Sequence, residues 1–167
     1  MTLRVLALLM IWILASCEDS KPETHPLPSN ARNLIAGDST KTWMLAKRIN
    51  GKVRMNMGDC FLHYRQTYFQ DGSVADNNAE ARDCGPSLIG KWEITTTEKG
   101  NSYIKITSPQ LPELLNTEKD HKFFQIQFLS EDSLVLKFSH NQYGKKQWIT
   151  DYLVTENVAV PDRDFHH

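Results

Sequence analysis

Cys60-Phe61-Leu62-His63 is a stretch whose residue types and spacing suit chemistry. A cysteine and a histidine so placed make half of a zinc site. No second Cys/His pair stands at a zinc-like distance, so the sequence argues for no metal. The remaining histidines are His25, His121, His140, His166 and His167. Only His63, inside an apolar and aromatic run, is expected to reach an interior, and there a packed or surface imidazole is the commoner state than a base. His166-His167 closes the chain, where it would fray and bind ions adventitiously at most. There is no Gly-x-Ser-x-Gly elbow, phosphate-cradling glycine loop or His-Glu-x-x-His. Carboxylates are abundant, but no spacing singles out an acid–base pair. Nothing here argues for an enzyme or a cofactor.

Three cysteines are present, and Cys17 stands apart. It follows Arg4, the apolar run Val5–Leu14 and the small residues Ala15-Ser16. That order is a secretory signal peptide. The run is too short to span a bilayer, which takes about 20 residues. Leu14-Ala15-Ser16-Cys17 resembles the lipobox of bacterial lipoproteins. The resemblance implies that residues 1–16 are removed and that Cys17 is acylated, palmitate being one expected chain. Several chains, at about 0.8 kcal/mol per buried methylene, hold a protein at a membrane stably. The expected location is the outer membrane of a gram-negative bacterium, on its periplasmic or cell-surface face. Residues 17–35, with Pro22, Pro26 and Pro28, read as a flexible linker. Glu18-Asp19 either resembles a surface-export signal or is two solvated charges.

Cys60 and Cys84 then remain as a pair in an oxidising compartment. A two-residue turn at Asp71-Gly72 would set Cys60 one step off Cys84. A three-residue turn, Asp71-Gly72-Ser73, sets them directly opposite. The pair therefore predicts a disulfide and a turn with one bulged residue. Closing a loop of about 25 residues is worth about 3.5 kcal/mol on the chain-entropy model.

The elements that must position these residues are short strands. Thr42–Ile49 precedes Asn50-Gly51, a strong hairpin signal, and Lys52–Met57 is expected to return. Phe61–Gln70 reads as a long aromatic strand closed by Asp71-Gly72. Trp92, Ile94 and Thr96 alternate with polar residues, as do Ile104 and Ile106, then Phe124, Ile126 and Phe128, then Leu134, Leu136 and Phe138. Trp148, Tyr152 and Val154 read as one face of the last strand. Pro109 and Pro112 break the series, so the region near 109–118 is a short helical turn or a loop. The result is an all-β chain of about eight antiparallel strands. Closing them into an up-and-down barrel removes the edges. A net charge of −1 suggests no nucleic-acid partner.

Gly37-x-Ser39-x-Lys41-x-Trp43, Cys60, Phe69-x-Asp71-Gly72, Cys84, Gly90-x-Trp92 and Leu129-Ser130-x-x-Ser133-Leu134-Val135-Leu136 follow one another in that order. Together, behind a lipobox, they resemble the lipocalin-like domain of bacterial outer-membrane lipoproteins. The resemblance implies a barrel over residues 36–157, a tail over 158–167 and an exported location; it names no ligand. Trp43, Tyr64, Tyr68, Trp92, Phe124, Phe128 and Trp148 either line a cavity or fill the barrel. Two functions are compatible with this. One is a non-catalytic binding module for a small apolar ligand or a partner protein. The other is an accessory subunit, its barrel filled, docked on a larger outer-membrane complex.

Overall fold

The period-two segments form strands. The computed structural model describes residues 26–142 and 144–165; Cys17, His25 and His166-His167 lie outside the described residues. One antiparallel sheet contains β1 (Thr40–Asn50), β2 (Val53–Arg54), β3 (Arg65–Phe69), β4 (Ser73–Asp76), β5 (Ile89–Thr96), β6 (Ser102–Thr107), β7 (His121–Leu129), β8 (Ser133–Gln142) and β9 (Lys145–Thr155). Its order is β2-β1-β3-β4-β5-β6-β7-β8-β9, and β1 also pairs with β9. The sheet therefore closes on itself. β2 is a two-residue stub paired only with the end of β1, so eight strands form the barrel, in the expected up-and-down order. β2 shares its edge of β1 with β3, which holds Thr40–Met44, while β9 runs along the opposite edge; Lys52–Met57 therefore returns only as a stub.

The barrel has a floor and a mouth. The helix α1 (Ala31–Ala36) lies across the floor. Ile35 is wholly buried, and the Trp43 indole N–H donates to its carbonyl at 2.9 Å. Burying such a side chain is worth about 1.5–3 kcal/mol. Residues 31–35 fall within the stretch read as linker, yet they are helical and packed. Lys41 Nζ donates to the carbonyls of Leu34 at 2.9 Å and Glu131 at 2.7 Å, fixing the helix from the side. At the opposite end, α2 (Asp59–His63), the loop 77–88 and α3 (Leu111–Leu115) ring the mouth. α3 is the short helical insertion expected near 109–118.

Three readings need correction. The run Phe61–Gln70 is not one strand: its first part is α2, and the strand begins only at Arg65. Both faces of that run carry bulky groups, so strict alternation does not define it. His63 consequently does not reach the interior; it is exposed, its Nδ1 2.9 Å from the Asp59 carbonyl oxygen. The β3–β4 turn does have three residues, but they are Gln70-Asp71-Gly72. The Gly72 N–H donates to the Phe69 carbonyl at 3.1 Å, and Tyr68 pairs with Val74. Gly72 sits at φ 85°, which a side chain rarely adopts. This register does not oppose Cys60 and Cys84. The disulfide forms all the same, because Cys60 comes from α2 and Cys84 from the loop beyond β4, with Cα atoms 5.3 Å apart.

The third correction concerns which residues face inward. Each of two strands holds one extra residue. In β1, Leu45 pairs with Leu153 and Lys47 with Tyr152, leaving Ala46 unpaired on that edge. In β7, Ile126 pairs with Leu136 and Phe128 with Val135, leaving Gln127 unpaired. Each bulge reverses the parity of the residues beyond it. Phe124 and Ile126 face inward, but Phe128 faces solvent at 54% exposure while Leu129 turns in. On β9 the inward set is Ile149, Asp151 and Leu153. Trp148, expected on the inner face, is outside and 51% exposed.

Candidate functional site: a cavity at the barrel mouth

The lower half of the barrel is filled. Trp43, Tyr68 and Trp92 are buried there, with Val74, Ile104 and Leu134 around them. Tyr68 meets Trp92 edge to face at 5.3 Å, and its hydroxyl donates to Gln66 Oε1 at 3.0 Å. The Trp92 indole N–H donates to the Phe69 carbonyl at 2.9 Å. Three of the seven singled-out aromatics are therefore core.

Above them lies a cavity of about 630 Å³. Tyr64 and Phe124, two more of the seven, line it. Leu111, Leu114 and Leu115 of α3 and Phe61 of α2 form its rim; Leu136, Phe138 and Ile149 form its walls. The disulfide borders it and ties α2 to the loop 77–88. Asp76 holds that loop from the other side, its Oδ1 accepting the N–H groups of Asn78 at 3.2 Å and Leu88 at 3.1 Å. Burial raises the Asp76 carboxyl above its ordinary value, against those bonds. From the tail, Arg163 donates to the carbonyls of Leu45 at 2.6 Å and Phe61 at 3.2 Å, fastening α2 to β1.

The polar groups in the wall are the residues that sequence reasoning missed. Beyond the β1 bulge Arg48 points inward, opposite Asp151 on β9. The guanidinium grips the carboxylate with two bonds of 2.6 Å each. Burial works against the Arg48 charge, but the hydrogen bonds and charge of Asp151 outweigh it and leave the guanidinium above its ordinary pKa. Lys122 on β7 shares the inward parity of Phe124 and Ile126. Its Nζ stands 4.5 Å from the Phe138 ring centre and 5.4 Å from that of Phe124. Burial, aided by the Arg48 charge and partly offset by Asp151, pulls the ammonium down to about 8. His140, also on the wall, is lowered by burial and by the charges of Lys122 and Arg48. Burial pushes the Tyr64 phenol well up. One signal for these residues was visible: Lys122 and Asp151 each stand two residues from an apolar partner, Phe124 and Leu153, in strand spacing.

Cys60 is taken up by the disulfide, so Cys60-x-x-His63 does not form a metal half-site. The cavity offers largely apolar walls, the Arg48–Asp151 ion pair, the Lys122 ammonium and the Asp76 carboxyl held by the loop 77–88, an arrangement suited to holding a molecule.

No protein-family model matches the chain, and no curated protein matches it. Among solved structures, a lipocalin-like protein from Bacteroides uniformis ATCC 8492 is similar at 15% identity and a TM-score of 0.47, over 73% of this chain and 98% of that one.

Proposed function

We propose that this chain is a non-catalytic binding module whose mouth cavity takes a small, mainly apolar molecule. The observation that carries this reading is the contrast in filling: a packed floor beneath about 630 Å³ of open, largely apolar space. That volume is within the roughly 300–1,000 Å³ usual for small-molecule sites. Native mass spectrometry of the chain extracted from its own membranes tests it. A reproducible small-molecule adduct that Leu114→Trp removes supports the reading. An empty chain in stoichiometric complex with a membrane protein overturns it. That second outcome is the accessory-subunit reading, which the exposed Phe123 and Phe128 on the outside of β7 favour.

We also infer that Cys17 carries the lipid anchor and that the protein resides at the outer membrane. The support is the apolar run and the Leu14-Ala15-Ser16-Cys17 stretch. The chain enters the barrel through α1, so an anchor upstream would tether it by its floor. Cys17→Ser is expected to move the protein from the membrane to the soluble fraction; continued membrane retention would count against the anchor.

A further inference from the structure

A ligand cavity of this kind leaves one charge unexplained. Among the described residues Lys122 has no ion-pair or hydrogen-bond partner for its side chain; only the rings of Phe138 and Phe124 lie against it, at 4.5 and 5.4 Å. The titratable groups that share the cavity with it are His140 on the neighbouring strand β8, Arg48 on β1, Asp151 on β9, Tyr64 before β3 and Asp76 on β4. Arg48 and Asp151 neutralise each other. Asp76 is engaged by the backbone of the loop 77–88. His140 and Tyr64 are neutral at pH 7, since the first is held below its ordinary value and the second above it. The Lys122 ammonium therefore has no carboxylate bonded to it, and in a largely apolar wall an ammonium without such a partner is costly. Arg48 Cζ lies 5.9 Å from the same Phe138 ring centre, which puts both cations beside one ring.

Resting on that reading of the cavity, we propose that its ligand is an amphipathic monoanion whose carboxylate accepts a charge-assisted hydrogen bond from Lys122 Nζ while its hydrocarbon body lies against Leu111, Leu114 and Phe124. A carboxylate gives the Lys122 ammonium a bonded counter-charge; an ammonium head repels it, and a hydroxyl offers only an uncharged acceptor. A phosphate dianion would need a second free cation, and Arg48 is already committed to Asp151.

The test uses the full-length chain in a non-ionic detergent at pH 7. Dodecanoate, 1-dodecanol, dodecylammonium and dodecyl phosphate are titrated in parallel, with bound ligand counted by native mass spectrometry. Dodecanoate is expected to bind about tenfold or more tightly than dodecanol, the gain of one charge-assisted bond. Lys122→Met should erase that advantage and leave dodecanol unchanged, and Lys122→Arg should keep it. Far-ultraviolet dichroism establishes that each variant is folded. Tighter binding of any other head group, or an advantage that survives in Lys122→Met, overturns the carboxylate assignment while the cavity remains a ligand site. Failure of all four to bind overturns the cavity reading and this proposal with it.

Discussion

The floor and the mouth of this barrel are built from one set of strands on opposite principles. The floor is a packed core of Trp43, Tyr68 and Trp92 sealed by Ile35 of α1, with each indole N–H given to a carbonyl. The mouth keeps its side chains apart. It is held by a cross-link, a bidentate ion pair and the Arg163 staple. Stability is concentrated in close packing at one end, and space is preserved by tethers at the other. A cavity survives in a small barrel because rigidity there does not depend on filling it.

Substitutions at the two ends should separate these roles. Trp43→Ala empties the floor and is expected to cost about 4 kcal/mol, read as a shift in the denaturant midpoint. A loss below about 1 kcal/mol would mean that the floor is not the stability centre. Removing the cross-link with Cys60→Ser and Cys84→Ser should cost about 3.5 kcal/mol on the chain-entropy model. Its signature is regional: amide exchange in 59–63 and 77–88 should quicken while that of Trp43 and Tyr68 holds. Uniform acceleration would show that the tether supports the whole barrel. Asp151→Ala, which strands Arg48 in the wall, should cost about 3 kcal/mol, and Arg48→Met with Asp151→Leu should recover most of it.

Smaller effects are expected at the cavity surface. Burial holds the Lys122 ammonium at about 8, below its ordinary 10.5. Between those values the unfolded chain binds more protons than the folded one, so folding gains stability as pH rises through that window, and the full cost of the buried charge is present below it. Tyr64 and Tyr68, both raised, act in the opposite direction above about pH 10. Between about pH 8 and 10, therefore, the stability deficit of the native chain relative to Lys122→Met should shrink; a pH-independent difference would mean that Lys122 is solvated. Smallest of all, Leu114→Ala should cost under about 1 kcal/mol, because it enlarges an open space rather than creating a void.

The floor was more legible than the mouth. Trp92, Ile94, Ile104 and Ile106 alternate without interruption, and their strands pair as that alternation demands. The mouth depends on the extra residue of β1, and the floor end of β7 on another, and no local pattern announces either. Phe128 looks like the continuation of Phe124 and Ile126 until Gln127 is taken out of register. Trp148 and Tyr152 look like an inner face because they are aromatic; the inner face instead carries Asp151, whose charge hid it until Arg48 stood opposite. Apolar type is a good guide where side chains fill space and a poor one where a wall carries polar groups.

The bulges also determine how much the chain can be shortened. Removing Ala46 would leave a regular ladder with Leu45 still opposite Leu153 and Arg48 still opposite Asp151. Removing Gln127 would likewise keep Leu129 opposite Leu134. In β6, whose ladders on both sides run unbroken, loss of Lys105 would force either Ile104 or Ile106 out into water. Among the described residues, these two bulges are where the ladders already carry a residue that pairing does not need, and a deletion there should be better tolerated than one at Lys105.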